Sequence, residues 1–455
     1  MTKVTRSVSS RVAITFILAT FGIQSPALAG SLVLVGGNWA FPGSGGDEET
    51  YGISIYEEIV DLAGGTARAK IGIISTASNN PPRSAGFYLE DFAALYGDSV
   101  DVEYIPITRD DCNSYKNDPN SSVASQISDR NAFIFTGGDQ SFITDCFFNE
   151  DAATQTRTDT ALIKSLRQQF DEGAVIAGTS AGTAVQPSAP MVTNGESYEA
   201  LRDGSVSFVG SPPFNNTLYY NPLGGLGFFE YGLLDSHFSE RGRQGRIIRL
   251  ASDLGVDKAY GVDENTALVV TNAGTETVNF SILGQGGVSI FDVSESTIGE
   301  KDGYWTIAGV QETYLTEGDQ FNPLTDETTF GNKTSLTGSE QSGEVPVEKN
   351  IFSYFDDDLG TWTEPRAFTE TAIALFNSTE TQSLGESFES EPTYGVVLTK
   401  SAEAAGFSGV DSLGNVRYSF ADLEIAIAPV PEPGTLLGLF SVGALGVGYR
   451  RKRKR

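Results

Sequence analysis

The sequence is poor in the residues that most often bind metals and nucleic acids. It contains one histidine, His237, and two cysteines, Cys112 and Cys146, among 455 residues. A zinc or iron centre built on several histidines is therefore excluded, and the cysteines lack the CxxC spacing of a zinc site. Basic residues are also scarce, because 30 lysines and arginines face 59 aspartates and glutamates. Phosphate binding needs a basic surface, so this charge balance excludes a nucleic-acid partner.

The apolar segments at the two ends of the chain are shorter than the about 20 residues that a helical membrane span needs. Residues 1–29 carry three basic residues, the apolar run VAITFILATFGI and the small residues SPALA. This pattern predicts a secretory signal peptide cleaved after Ala29, with a retained membrane anchor as the alternative. At the other end, a Pro-Glu-Pro turn precedes the apolar segment 435–449, and six basic residues close the chain. The basic cluster would hold such a tail on the cytoplasmic side, and a short tail anchor is one interpretation of it.

Export also bears on the two cysteines. Outside the cytoplasm, thiols meet oxidising conditions in which disulfides form and persist. We therefore expect a disulfide between Cys112 and Cys146, with two separate buried thiols as the alternative.

Apolar strand-like segments alternate with helical segments after the signal region. The strand-like segments are SLVLVGGNW (31–39), KIGIIST (70–76), VEYIPI (102–107), AFIFTGGDQ (132–140) and AVIAGTS (174–180). Continuous apolar strands separated by helices predict a mainly parallel sheet that is covered on both faces. From about Thr271 the alternating segments predict an antiparallel edge. The fold class is therefore α/β, and its chemistry is expected at the carboxyl ends of the strands.

The chain is predicted to have four parts. The signal peptide covers residues 1–29 and the α/β domain covers residues 30–325. Residues 326–428 are acidic and polar with scattered strand-like pieces, which predicts a β-rich or partly disordered appendage. The tail segment covers residues 429–455.

A serine between glycines marks the end of one predicted strand, in the stretch VIAGTSAGTAV (175–185). Gly178 and Gly182 would let the backbone turn sharply, so that the hydroxyl of Ser180 stands exposed as in a nucleophile elbow. An ordinary strand-to-helix turn with a serine N-cap is the alternative.

The single histidine narrows the chemistry that Ser180 can perform. If an imidazole activates this serine, the base must be His237, which follows another strand-like piece. A structural histidine is the alternative. Asp263 and Glu264 interrupt a later strand, and either could orient the imidazole. The order serine, histidine, acid differs from that of the α/β-hydrolases and indicates another fold.

Four segments together resemble one serine peptidase family. FTGGDQ, GTSAG, DSHFSERGRQGR and GVDENTA look like the signature segments of the cyanophycinases, whose family also includes aspartyl dipeptidases, and they occur in that family's order. The resemblance lies within residues 31–324 and implies a three-layer α/β sandwich related to class I glutamine amidotransferases. The C-terminal tail resembles the PEP-CTERM sorting signal, which exosortase recognises and removes.

The resemblance implies roles for individual residues. Ser180 would be the nucleophile, His237 its general base and Glu264 the third member of a triad, with Asp263 and Asp235 as competitors for the last role. The backbone amides of Gly138 and Ala181 would form the oxyanion hole. The implied substrate-binding residues are Gln140, Asp235, Arg241, Arg243 and Arg246. Ser236 departs from the glutamine expected at its position, which puts the fine substrate preference in doubt. No metal or organic cofactor is implied.

The expected protein is an exported serine exopeptidase that hydrolyses cyanophycin, multi-L-arginyl-poly-L-aspartate, to β-Asp-Arg dipeptides. Its expected location is the periplasm, the cell surface or the medium, with exosortase as processing partner and a homodimer as one possible assembly. A peptidase for other aspartyl or isoaspartyl peptides is the nearest alternative. A catalytically silent protein that binds a surface or matrix is the alternative from another class.

Overall fold

The computed structural model describes residues 29–188, 190–356 and 360–430. Apart from Ala29, Pro429 and Val430, the predicted signal peptide and sorting tail lie outside the described residues. Within the described ranges, no helix has both the length and the apolar character that crossing a membrane would require.

The helices of the described chain are α1 (Gly46–Leu62), α2 (Pro81–Tyr96), α3 (Ser122–Ser128), α4 (Gln140–Phe147), α5 (Ala161–Asp171), α6 (Ala181–Ala184), α7 (Ser197–Asp203), α8 (Gln244–Leu254) and α9 (Ala367–Phe376). Short 3-10 turns cover Gly97–Ser99, Cys112–Ser114 and Ser239–Arg241.

The strands up to residue 271 are β1 (Ser31–Val35), β2 (Lys70–Ile74), β3 (Asp101–Tyr104), β4 (Ala132–Phe135), β5 (Phe148–Asp151), β6 (Thr156–Asp159), β7 (Val175–Thr179), β8 (Met191–Asn194), β9 (Ser205–Ser207), β10 (Leu218–Asn221), β11 (Leu233–Asp235), β12 (Lys258–Val262) and β13 (Thr266–Thr271). The later strands are β14 (Asn279–Gly284), β15 (Gly287–Asp292), β16 (Thr297–Lys301), β17 (Tyr304–Thr316), β18 (Gln320–Asn322), β19 (Glu327–Thr329), β20 (Thr334–Ser335), β21 (Tyr354–Asp356), β22 (Thr361–Thr363), β23 (Gln382–Glu386), β24 (Tyr394–Val410) and β25 (Val416–Pro429).

A nine-stranded sheet in the order β19-β18-β14-β13-β1-β7-β4-β2-β3 forms the centre of the α/β part. Its strands β1, β7, β4, β2 and β3 run parallel, whereas β13, β14, β18 and β19 add an antiparallel edge. Apolar residues of the parallel strands are buried in separate core clusters on the two faces, such as Leu32 on one face and Val33 on the other. This sheet confirms the predicted α/β class.

Local sequence signals explain where the covering helices begin and end. The hydroxyl of Thr160 accepts a hydrogen bond from the backbone N–H of Ile163 at the start of α5. Leu162 and Leu166 bury one face of this helix. Gly173, with φ 98°, turns the chain into β7.

The residues of the predicted appendage continue a second nine-stranded sheet. Its order is β11-β12-β15-β17-β25-β24-β20, with β16 and β23 paired to β17 and β24. The long hairpin of β24 and β25 pairs with β17, so this sheet includes strands from both predicted parts of the chain. Phe238 and Tyr314 share a buried cluster with Phe368 and Phe420. The C-terminal region is therefore β-rich and packs against the α/β part.

The last strand reaches the beginning of the tail. β25 ends at Pro429, which pairs with Tyr394 of β24. The backbone N–H of Val430 donates to the carbonyl of Thr393 at 2.9 Å. The folded body therefore extends to residue 430.

Cys112 and Cys146 form a disulfide with a Cα–Cα distance of 5.6 Å. It links the 3-10 turn Cys112–Ser114 to α4. The predicted disulfide is confirmed, and the alternative of two separate thiols is not what the structure contains.

Candidate active site

Ser180 lies at the carboxyl edge of the central sheet, directly after β7 and before α6. Its backbone has φ 54° and ψ −116°, which is a conformation that residues other than glycine rarely adopt. Such strain persists only where the surroundings impose it, and it is common at active sites. The side chain of Ser180 makes no capping hydrogen bond to α6. The turn thus has the form of a nucleophile elbow and holds the hydroxyl free of the helix.

Two glycines permit this turn for steric reasons. A Cβ atom on Gly178 would lie 2.1 Å from the carbonyl oxygen of Gly182. A Cβ atom on Gly182 would in turn lie 2.0 Å from the carbonyl oxygen of Phe135. Both distances are far below van der Waals contact, so the strand and the short helix can approach this closely only with glycine at the two positions.

His237 is placed beside Ser180 by the loop that follows β11. Its Nε2 lies 2.8 Å from the Oγ of Ser180, and its backbone N–H donates to the carbonyl of Gly36 at 2.6 Å. A Cβ atom on Gly37 would lie 2.1 Å from the Cε1 of the imidazole. Gly37 therefore leaves the space that the ring occupies.

Of the two adjacent acidic residues, Glu264 contacts the imidazole. Its Oε1 lies 2.5 Å from the Nδ1 of His237. Asp263 is completely buried and turned elsewhere, since its Oδ1 accepts from the backbone N–H of Ser239 and its Oδ2 from the hydroxyl of Tyr314. The structure thus brings Ser180, His237 and Glu264 into one chain of hydrogen bonds.

The protonation states favour a neutral imidazole. Burial is the main cause that lowers the pKa of His237 to about 4, and the charges of Arg241 and Arg243 act in the same direction. The hydrogen bond to Glu264 acts in the opposite direction. Burial opposes ionisation of Glu264, but its hydrogen bond and charge interaction with His237 lower the pKa of this carboxyl overall. At neutral pH the imidazole can therefore accept the proton of Ser180 while a carboxylate holds its other nitrogen.

The predicted oxyanion-hole residues flank the same hydroxyl. A Cβ atom on Gly137 would lie 3.3 Å from the Cβ of Ser180, so the loop after β4 packs against the serine. Gly138 has φ 141°, and a Cβ there would lie 2.0 Å from the carbonyl oxygen of Ala77. Ala181 directly follows the serine as the first residue of α6. Their role as paired amide donors stays a prediction.

Arg241 and Arg243 supply positive charge beside the triad. The Nε atoms of both are buried without a hydrogen-bond partner among the described residues. An Nη atom of Arg243 donates to the carbonyl of Ser236 at 2.6 Å, and the guanidinium of Arg241 lies 5.5 Å from the ring centre of Trp362. Burial and the nearby charge of Arg246 lower the pKa of Arg243 to about 9. Arg243 also pairs with Asp235 at 3.4 Å, so what the described residues leave unused are the Nε donors of the two arginines.

Asp235 and Arg246 bond to each other. The Nε and Nη2 of Arg246 donate to the two carboxylate oxygens of Asp235 at 2.8 and 2.6 Å. Its Nη1 donates to the carbonyl of Gly195 at 2.5 Å. Burial opposes ionisation of Asp235, but Arg246 and Arg243 lower the pKa of this carboxyl overall. The hydrogen bonds of this pair can therefore stabilise the loop that carries His237.

Gln140 is the first residue of α4, and Ser236 directly follows β11. The Nε2 of Gln140 donates to the carbonyls of Val192 and Thr193, both at 3.0 Å. The backbone N–H of Ser236 donates to Asp235 at 2.8 Å. The amide nitrogen of Gln140 is thus engaged with backbone groups.

Three charged residues near the site were not singled out from the sequence. Burial raises the pKa of Glu196, which faces Arg243. Glu240 accepts a hydrogen bond from the backbone N–H of Glu264 at 3.0 Å, and Arg366 contacts Glu240 from the C-terminal region. Only Glu240, inside the segment DSHFSERGRQGR, had a signal that could have identified it. In the described part of the chain, no group of three or more histidine, cysteine or acidic residues is arranged to hold a metal ion.

Comparisons with known proteins show what this chain is similar to. Residues 41–278 match peptidase family S51, and residues 429–454 match the PEP-CTERM protein-sorting motif. The cyanophycinases of Trichormus variabilis and a Nostoc species are each 28% identical over 254 residues, which are 56% of this chain and 73% of the relative. The cyanophycinase of Synechococcus elongatus is 27% identical over 249 residues, 54% of this chain and 66% of that protein. The crystal structure of a peptidase from an acI-B1 actinobacterium is similar at 18% identity and a TM-score of 0.41, over 65% of this chain and 98% of that one.

The family match spans more than half of the chain, and it includes Ser180, His237 and Glu264. The predicted resemblance and the predicted sorting signal are both confirmed. The sorting motif indicates export and sorting of the chain. This protein therefore belongs to peptidase family S51 and is a serine-type peptidase.

Proposed function

We propose that this peptidase hydrolyses cyanophycin to β-Asp-Arg dipeptides outside the cytoplasm. The observation that carries the proposal is the hydrogen-bonded row of Ser180, His237 and Glu264 beside two arginines, Arg241 and Arg243, whose Nε donors are buried without a partner among the described residues. The similarity to three cyanophycinases supports the choice of polymer. Cleavage of the signal peptide and removal of the tail by exosortase belong to the same proposal.

Acylation follows from the positions of the three side chains. The Oγ of Ser180 attacks the carbonyl carbon of the scissile peptide bond, and its proton passes to the Nε2 of His237, 2.8 Å away. Glu264 holds the Nδ1–H and stabilises the imidazolium that forms. The C–N bond then breaks as His237 returns the proton to the leaving amine. The product of this half-reaction is an ester on Ser180.

Deacylation repeats the proton transfers with water. His237 takes a proton from a water molecule, the hydroxide attacks the ester carbonyl, and the proton returns to the Oγ of Ser180. The backbone amides of Gly138 and Ala181 are proposed to donate to the carbonyl oxygen in both half-reactions. One such donor is typically worth about 3 to 4 kcal/mol of transition-state stabilisation.

The proposed specificity depends on the arginines beside the triad. A polyaspartate chain presents carboxylates at its terminus, and a guanidinium binds a carboxylate through two parallel hydrogen bonds. Arg241 and Arg243 are proposed to make these contacts. Asp235 and Arg246 are proposed to hold the loop in place, because their polar atoms already bond to each other and to Gly195.

A substrate panel tests the proposal. We expect the purified protein to release β-Asp-Arg from insoluble cyanophycin and to cleave β-linked aspartyl peptides much faster than peptides without a carboxylate next to the scissile bond. Ser236 stands where glutamine was expected, so a peptidase for other aspartyl or isoaspartyl peptides is the second candidate. Faster cleavage of those peptides than of cyanophycin would select the second candidate. Binding of cyanophycin without any turnover of the panel would instead support a silent binding protein.

The pKa of His237 predicts the pH below which the peptidase loses its activity. Because that pKa is lowered to about 4, the imidazole stays neutral and active until the pH falls to about that value. We expect the rate at which a fluorophosphonate labels Ser180 to be level near neutral pH and to decline with an apparent pKa of about 4. The uncharged probe avoids titration of substrate carboxylates.

Thermal unfolding at each pH controls for loss of structure. The unfolded chain takes up this proton near the ordinary histidine pKa of about 6.5, so the same group lowers stability as the pH falls from about 6.5 towards about 4. A labelling rate that declines near pH 6.5 while the protein stays folded would contradict the neutral, buried imidazole.

A further inference from the structure

The loop that follows His237 is held by the C-terminal region, which is defined here as the described residues from 326 to 430. The backbone N–H of Arg366 donates to the carbonyl of Ser239 at 2.9 Å. The hydroxyl of Ser239 lies 2.7 Å from that of Thr369 in α9. Arg366 and Thr369, more than 120 positions later in the chain, therefore contact the turn that follows His237.

The guanidinium of Arg366 reaches deeper, between two acidic side chains. Its Nη1 donates to Glu240 at 2.7 Å and to Asp263 at 2.8 Å. Its Nη2 donates to the hydroxyl of Tyr314 at 2.9 Å. Asp263 is completely buried, and the side chain of Arg366 retains 24% of its exposure. One arginine therefore links two acids and a tyrosine beneath the active site.

Both acids hold the backbone beside the triad. Glu240 accepts from the backbone N–H of Glu264 at 3.0 Å. Asp263, the residue before Glu264, accepts from the backbone N–H of Ser239, two residues after His237. The position of the Glu264 carboxylate relative to the imidazole thus depends on two side chains that Arg366 pairs.

The buried carboxyl groups that Arg366 contacts need a compensating positive charge. Glu240 and Asp263 place two carboxyl groups within hydrogen-bond distance of the same guanidinium nitrogen of Arg366. Burial and the charge of Asp263 raise the pKa of Glu240 to about 7, and Arg366 acts in the opposite direction. Removing one partner of a buried ion pair leaves an uncompensated charge, which neighbouring groups relieve by moving or by taking up a proton.

The backbone of Arg366 also indicates a special position. Its φ of 70° lies in the left-handed region, which costs free energy for a residue other than glycine and persists where tertiary contacts impose it. In this conformation the N–H of Arg366 meets Ser239 while its side chain meets Glu240 and Asp263.

From these contacts we propose that Arg366 is a positioning residue of the peptidase, through which the C-terminal region completes the active site. It acts through Glu240 and Asp263 on the alignment of Glu264 and His237. The proposal rests on the triad roles given above. The region would then serve catalysis in the same chain, in addition to any binding role that its acidic surface has.

The test measures the reactivity of Ser180 without a peptide substrate. A fluorophosphonate labels the full-length protein, and mass spectrometry identifies the modified residue. We expect Arg366→Met to lower both the labelling rate and kcat by about tenfold or more, with KM changed by less than about threefold, because alignment and not binding is lost. Arg366→Lys should restore part of the rate, since an ammonium can bridge the two carboxylates but cannot reproduce the fork.

Glu370→Gln is the matched control. Glu370 meets the same guanidinium on its exposed side at 3.5 Å and does not contact the acids beneath the triad. We expect this variant to keep the parental labelling rate within about twofold. A folded Arg366→Met protein that is labelled at the parental rate would overturn the proposal.

Two further outcomes are decisive. If Arg366→Met does not fold, Glu240→Gln and Arg366→Lys decide the matter, and parental labelling rates in both variants reject the positioning role. If the parent protein is not labelled at Ser180, the assignment of the nucleophile fails and the role of Arg366 fails with it. Labelling of the parent protein at Ser180 therefore tests the proposed nucleophile, and the comparison of the variants with the parent tests the positioning role of Arg366.

Discussion

Replacing Ser180 with alanine should lower kcat on cyanophycin by about four to six orders of magnitude, while the protein still binds the polymer. The reason is that the Oγ of Ser180, 2.8 Å from the Nε2 of His237, is the atom proposed to attack the carbonyl. His237→Ala should cost a similar factor. The double variant should cost little more than either single variant, because the members of a triad act as a unit.

Product release measured by chromatography gives the rates, and co-sedimentation with insoluble cyanophycin gives binding. Ser125→Ala is a suitable control, since Ser125 lies exposed on α3. Turnover by Ser180→Ala above about one per cent of the parental rate would refute the assignment of this serine as nucleophile.

Single replacements of the arginines beside the triad should have two different effects, one on kcat/KM and one on the free energy of unfolding. Arg241→Lys should lower kcat/KM by about 10- to 100-fold, the equivalent of one or two lost hydrogen bonds to a charged group. Its free energy of unfolding should change less than that of Arg246→Met, because lysine conserves the charge of Arg241. Arg246→Met should instead lower the free energy of unfolding by about 3 to 5 kcal/mol, because the buried Asp235 carboxylate loses the partner that binds both of its oxygens and keeps only the ion pair with Arg243 at 3.4 Å.

Urea denaturation and steady-state kinetics on the same preparations separate the two effects. Arg83→Lys is the control for the chemical change, since Arg83 is exposed near the start of α2. If Arg241→Lys cleaves cyanophycin like the parent, Arg241 does not bind a substrate carboxylate. If Arg246→Met is as stable as the parent, the ion pair with Asp235 is not a support of the fold.

The parallel sheet and the serine turn could be predicted because their signals are local. Strands buried on both faces are continuous apolar runs, and the turn at Ser180 needs glycines where a Cβ atom would collide with the backbone. The histidine could be identified because the chain contains only one. These features are determined by a few residues that are adjacent in sequence.

The finer assignments depend on partners far away in the chain. Asp263 and Glu264 are adjacent carboxylic acids, so residue type does not distinguish them. Their partners do, because Tyr314 and Arg366 bind Asp263, whereas His237 binds Glu264. Likewise, the sequence gives no reason to distinguish Arg246 from Arg241 until α8 turns the former towards Asp235.

The role of the C-terminal strands was the largest feature that the sequence could not predict. Residues 326–428 contain polar, acidic segments with weak strand patterns. The strand β25 is nevertheless paired on both sides, by β17 and β24. Antiparallel pairing over such sequence distances leaves no periodic signal that tells one partner strand from another.

The end of β25 has a consequence for where the enzyme can work. Pro429 is both the last residue of that strand and the first residue matched by the sorting motif, and Val430 is still hydrogen-bonded to Thr393. No spacer therefore separates the folded body from the motif. A flexible linker of n residues would let a tethered enzyme sample a radius of about 5 to 6 Å times the square root of n, and this chain has none at that junction. The reach of a body that is held by its motif is therefore set by the motif itself and not by a linker before it.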